Sequence, residues 1–196
     1  MIRKYLSLIL LFLFLQISIF GQFSIGISIS GIGYHPRGNA QNASFYKWKI
    51  DRIGKFTGFA NVSLLASYRF NDYFGVKIMQ SIIFHDCAGK FAGLTHLGIN
   101  LYDDILHWKN PKSEFSMSFG PLWYYRKDWT KEKRYQNNPQ FITLSKNKRW
   151  EHKFVWHGGL IQYDYFLDNN TSLTTTLFPG YPYLYTFGVG GAYHFR

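Results

Sequence analysis

The chain has 196 residues, a formal charge of +11, 46% hydrophobic and 20% aromatic residues, and a single cysteine. That length suits one domain, and one cysteine excludes an internal disulfide. After the N-terminal segment no apolar run reaches the roughly 20 residues of a transmembrane helix, so a high aromatic content without such runs points to a sheet whose two faces meet different surroundings.

The chain opens with Arg3 and Lys4, an apolar run from about Leu6 to Phe20, and then Gly21. This is the layout of a secretory signal peptide, predicting cleavage after Gly21 and a two-part organisation: signal peptide 1–21 and mature domain 22–196. In QFSIGISIS, Phe23, Ile25, Ile27 and Ile29 alternate with Ser24, Gly26, Ser28 and Ser30, a period of two that marks a strand. The alternation returns at the C-terminus, where Tyr185, Phe187, Val189, Tyr193 and Phe195 alternate with Thr186, Gly188, Gly190, Ala192 and His194. Bulky apolar residues opposed by small or polar ones give the lipid-out, lumen-in pattern of a membrane barrel. Strands are predicted at 23–35, 56–70, 73–85, 90–102, 113–125, 150–166, 171–178 and 183–196. The fold class is therefore all-β, an eight-stranded antiparallel up-and-down transmembrane barrel in a bacterial outer membrane.

Three connections carry tight-turn residues, at Asn71-Asp72, Asn110-Pro111 and Asp168-Asn169-Asn170, and alternate with longer ones. Short turns belong to the periplasmic end and long loops to the outside. Residues 36–55 hold five Lys or Arg against one Asp, and residues 126–153 hold nine against three acids. Nearly all the excess charge thus sits at the outer rim. It is either an ordinary solvated loop face or a basic collar for lipopolysaccharide phosphates. That location argues against nucleic acid.

Inward parity near the periplasmic end falls on Ser24, Arg69, Lys77, Asn100, Gln162 and Asp164, with Asp164 expected to approach Arg69 or Lys77 because a buried charge needs a partner. Continued upward on the 150–166 strand, the same parity gives Leu160, Gly158, Trp156 and Phe154, an apolar upper lumen. Eight strands leave room for filling side chains or one small ligand, and an acyl chain has a suitable cross-section.

At the outer rim the topology collects His35, Asp86 with Cys87, then Arg126, Asp128 and Trp129, and the turn Phe178-Pro179-Gly180. A thiolate formed by a neighbouring base is a strong nucleophile, and a carboxylate can orient that base. His35 would be the base, Asp86 its orienter and Cys87 the nucleophile or a polarising donor. The alternative is structural: an Asx turn, a buried thiol and a rim histidine. Strict alternation from Ile29 points His35 outward, so the catalytic arrangement requires a bulge at Gly31 or Gly33.

The order His35, Asp86-Cys87, Arg126-Lys127-Asp128-Trp129 and Pro179-Gly180 resembles the PagP family of outer-membrane lipid A palmitoyltransferases. The chain departs from the family at Cys87, where the family has Ser, in lacking a leading amphipathic helix, and in the basic segment after Arg126. The resemblance implies a lipid acyltransferase moving a fatty acyl chain from a phospholipid to lipid A or a related lipid. His35, Asp86 and Cys87 would be catalytic. Arg126, Asp128, Trp129, Phe154, Trp156 and Pro179 would contact substrate. No metal or cofactor is implied; the partners are a phospholipid donor and lipopolysaccharide, and a monomer is expected. The competing expectation is a non-catalytic barrel serving structure, adhesion or lipopolysaccharide binding, which predicts His35 pointing to lipid or solvent and a lumen plugged by side chains from end to end, whereas the enzyme predicts His35 near Asp86 or Cys87 and an apolar cavity opening at the outer rim.

Overall fold

The computed structural model describes residues 22–36, 38, 52–86, 89–106, 110–128, 142–143, 149–180 and 184–195. The signal-peptide span, Cys87 and Trp129 lie outside these residues. The strands are β1 (Gln22–Tyr34), β2 (Phe56–Arg69), β3 (Phe74–His85), β4 (Ala92–Tyr102), β5 (Ser113–Lys127), β6 (Ile142–Thr143), β7 (Trp150–Phe166), β8 (Thr171–Gly180) and β9 (Leu184–Phe195), with a short 3₁₀ turn at Asp103–Leu106. Every pairing is antiparallel, and β5 pairs β7 while β1 pairs β9. The long strands therefore close into an eight-stranded barrel, with the two-residue β6 added beside β7 at Glu151 and His152.

The closure is staggered. Cross-strand partners lead from Gln22 through Arg69, Gly75, Asn100 and Ser118 to Leu160. Beyond the Ile161–Leu177 pair the path continues through Phe178 and Thr186 to Gly33, eleven positions along β1 from its start at Gln22. One position is absorbed by the bulge between Ser30 and Ile32. Such a stagger tilts the strands by roughly 40° and gives a narrow barrel whose interior side chains can fill.

The short turns form because a side-chain acceptor replaces strand pairing. Asn71 Oδ1 accepts from the backbone N–H groups of Tyr73 and Phe74, both at 2.9 Å, and Asn110 Oδ1 accepts from Lys112 N at 3.0 Å. Asp168 Oδ1 accepts from Asn170 N at 2.7 Å and Thr171 N at 2.8 Å, and its Oδ2 from the Thr171 hydroxyl at 2.6 Å. These bonds hold the Asp168 carboxyl below its ordinary range, the Thr171 hydroxyl contributing most. At closure, β9 approaches β1 so closely that a Cβ on Gly190 would lie 1.8 Å from the Ile27 carbonyl oxygen.

The surface is inverted relative to a water-soluble protein. Ile25, Ile27, Ile29, Leu64, Leu97, Ile99, Phe187 and Val189 are exposed, while Ser28, Ser63, Lys77, Ser81, His96, Asn100, Gln162 and Asp164 are buried inside. A closed sheet leaves no unpaired edge in hydrocarbon, and an apolar outer band around a polar interior marks an outer-membrane barrel.

Candidate functional site

From the short-turn end upward, the lumen is closed by three layers. In the first, Arg69 donates to Asp104 at 2.7 Å and pairs with Glu114, and its guanidinium lies 4.1 Å from the Tyr102 ring centroid. Above it, Lys77 Nζ donates to Ser116 Oγ and Gln162 Oε1, both at 2.9 Å. Gln162 Nε2 then donates to Asp164 Oδ2 at 2.6 Å, and Thr174 and Ser172 donate to Asp164 Oδ1 at 2.5 and 3.2 Å. The expected partnership of Asp164 is thus with Lys77, relayed by an amide, whereas Arg69 is taken by Glu114 and Asp104. Those two acids were missed in the sequence, although Glu114 shares the inward parity of Ser116 and Ser118. A cavity of about 20 Å³, room for one water, remains at this end beside Arg69, Lys77 and Asp164.

The middle layer is apolar and packed. Leu65, Met79, Leu94, Leu122, Leu160 and Phe178, from six different strands, form one buried cluster, with Tyr124 and Val155 against it. Beside it, His96 is fully buried with Nε2 2.9 Å from Ser118 Oγ and Nδ1 3.1 Å from the Pro121 carbonyl. That last contact lies at the irregularity between Gly120 and Leu122, where β5 and β7 shift register.

This shift corrects the expectation for the upper lumen. Gly120 pairs with Gly158, but Leu122 pairs with Val155, so the extra residue on β7 reverses its parity. Phe154 and Trp156 turn outward, 51% and 76% exposed, and do not line the lumen. Lys153 and Val155 are half-buried there instead, and Glu151 is buried. In the third layer Glu151 accepts from Arg126 Nε at 2.6 Å, the two standing directly opposite on β7 and β5. The upper interior is therefore an ion pair over packed aliphatic side chains, where an apolar cavity was expected.

The remaining rim residues are distributed as follows. The bulge that turning His35 inward requires is present: Ser30 and Gly33 are both buried while Ile29 and Ile32 are each 60% exposed. His35 follows on the Gly33 side and is half-buried, with its N–H donating to the Lys55 carbonyl at 2.6 Å. Asp86 serves the β3–β4 turn: its Oδ1 accepts from Lys90 N at 2.8 Å and its carbonyl from Gly89 N at 2.9 Å, Gly89 having φ of 72°. The two are not level on β2. Tyr34 pairs with Phe56, but His85 pairs with Ala60, so their neighbours stand about 13 Å apart along that strand, to which two inter-strand spacings are added. Asp128, at φ 59°, ends β5 and receives two hydrogen bonds from the Arg149 guanidinium, each 3.1 Å; these push the Arg149 pKa up. Pro179 lies in β8 opposite Tyr185.

No protein-family model matches the chain, and no curated protein matches it. Several solved eight-stranded barrels resemble it in shape. Ail of Yersinia pestis, solved with the heparin analogue sucrose octasulfate, is 13% identical with a TM-score of 0.46, over 89% of this chain and 97% of that one. The N-terminal barrel domain of Pseudomonas aeruginosa OprF is 10% identical with a TM-score of 0.46, over 89% and 97%. Neisserial surface protein A is 8% identical with a TM-score of 0.45, over 88% and 95%. At these values they carry no functional argument for this chain.

Proposed function

We propose that the chain is a non-catalytic outer-membrane barrel, exported by the signal peptide 1–21 and acting as a monomer. Its basic extracellular rim meets anionic groups of the cell surface, the phosphates of lipopolysaccharide foremost. The observation that carries this reading is the filled lumen: among the described residues, the Leu65–Met79–Leu160 cluster and the ion pairs on either side of it occupy the interior where a solute or an acyl chain would have to pass. A second reading, PagP-type acyl transfer, is favoured by the bulge at Gly31 that puts His35 on the inward side. Mass spectrometry of lipid A and phospholipids from cells expressing the wild type and His35→Ala separates the two. The proposal expects no added acyl chain in either strain and no conductance steps from the purified barrel in planar bilayers. An acyl chain gained with the wild type and lost with His35→Ala would establish the enzyme instead.

A further inference from the structure

We propose that the outer face of β5 and β7 at the extracellular rim is a docking site for one phosphorylated lipid of the outer leaflet. The inference rests on the outer-membrane placement above and gives the anionic partner a position on the barrel wall.

The register shift that expels Phe154 and Trp156 from the lumen builds this face. On the outer side Lys127 stands opposite Trp150, Tyr125 opposite His152, and Trp123 opposite Phe154. The rings form an upper group, in which Trp150 also lies 6.5 Å from His152, and a lower pair. Trp150 lies 6.2 Å from Tyr125 and 6.0 Å from Phe91, His152 lies 5.5 Å from Trp123, and Phe154 lies 4.8 Å from Trp156.

The face is graded as an anionic lipid is graded. At its top, Lys127 Nζ sits 5.8 Å from the Trp150 ring centroid, which holds the ammonium at the rim for a phosphate. At its foot, Trp156 is the most exposed large apolar residue described, at 76%. From Trp150 to Trp156 the strand runs about 20 Å, enough to pass from headgroup level into the acyl region.

The upper group is also held in place. Gln80 Nε2 donates to Tyr125 Oη at 2.6 Å, and the Thr95 hydroxyl donates to Gln80 Oε1 at 2.7 Å. These three side chains project from the outer wall, where polar groups are costly unless they satisfy one another. Gly93 admits the ring, because a Cβ there would lie 2.4 Å from Tyr125 Oη. A fixed ring loses little freedom when a lipid packs on it. On the opposite wall Ile25, Ile27 and Ile29 of β1 and Phe187 and Val189 of β9 are apolar and exposed; the ring contacts there include Phe23–Phe195 and Tyr193–Phe195 at the short-turn end and the Tyr34–Phe56 pair at the rim.

The test uses the full folded barrel reconstituted in phosphatidylcholine vesicles containing bisphosphorylated lipid A, released and weighed by native mass spectrometry with its bound lipid. Folding of each variant is verified by the heat-dependent shift in gel mobility. The wild type and Phe187→Leu, on the far wall, should retain lipid A equally. Lys127→Gln combined with Trp150→Leu should retain it about tenfold less, the loss of one charged contact. Lys127→Gln alone, outside the ring cluster, should show a smaller loss of the same sign and serves if the double variant does not fold. Equal retention by wild type and Lys127→Gln, or equal retention of dephosphorylated lipid A, would overturn the proposal. So would loss of soluble heparin binding with lipid retention intact, which would make the face a glycan site. None of these outcomes bears on the acyl-transfer and conductance tests of the filled lumen.

Discussion

Replacing Lys77 by Met removes the cation that faces Asp164 through the Gln162 amide. The relay spans hydrogen bonds of 2.9 and 2.6 Å with one amide between them, placing ammonium and carboxylate roughly 7 Å apart, worth about 2–3 kcal/mol at an effective dielectric near 20. The variant also forfeits the bonds to Ser116 and Gln162, bringing the expected loss to about 3–5 kcal/mol, as for other buried charges stripped of a partner. Asp164 is 2% exposed, so it cannot recover the loss by turning to water. Adding Asp164→Asn should restore most of it, because the stranded charge is gone while the amide still accepts from Ser172 and Thr174. Denaturant unfolding in vesicles, followed by tryptophan emission, gives the four corners of the double-mutant cycle. If Lys77→Met costs less than about 1 kcal/mol, or the second substitution restores nothing, the ammonium and carboxylate are not coupled and this account of the inner layer is wrong.

Leu160→Ala should destabilise the barrel by about 2–5 kcal/mol through the cavity left in the apolar layer, measured by the same unfolding assay, yet planar bilayers should still show no conductance because the flanking ion pairs remain. Gly190→Ala should block or strongly slow closure, since the added methyl meets the Ile27 carbonyl oxygen at 1.8 Å; the folded fraction on a gel should fall well below that of Gly191→Ala, whose nearest contact is 3.3 Å. Asp168 has a lowered folded pKa, so its contribution is present above the ordinary carboxylate pKa near 4 and is lost as pH falls through the folded value. Unfolding curves of wild type and Asp168→Ala should therefore differ at neutral pH and converge on acidification; a constant difference across that window would contradict the turn assignment.

The strands were legible because they are written twice over. Alternation marks each one, and turn residues mark its ends: β7 was expected at 150–166 and spans Trp150–Phe166, and β2 and β3 flank the Asn71 turn as read. The polar residues of the lower lumen followed from parity alone, since between Ser24 and Ser30 or between Leu160 and Asp164 nothing interrupts the period of two. The 3₁₀ turn at Asp103–Leu106 and the two-residue β6 left no such trace.

The sequence by itself determined a closed sheet with an apolar outside, because that requires only local periodicity and an even number of strands. Only the tertiary structure decided what the rim and upper lumen contain. One unpaired residue on β7 reverses every side chain above it, which no pattern within β7 announces because both parities there carry apolar residues. On β1 the glycines at 31 and 33 marked where a slip could occur, and only the folded barrel shows that the bulge after Ser30 forms and carries His35 to the inner side. Asp86 completes a local turn, and Arg126 found Glu151 across a neighbouring strand. A period of two fixes the faces of a strand only until the register slips, and near the rim of this barrel it slips on both sides of the site.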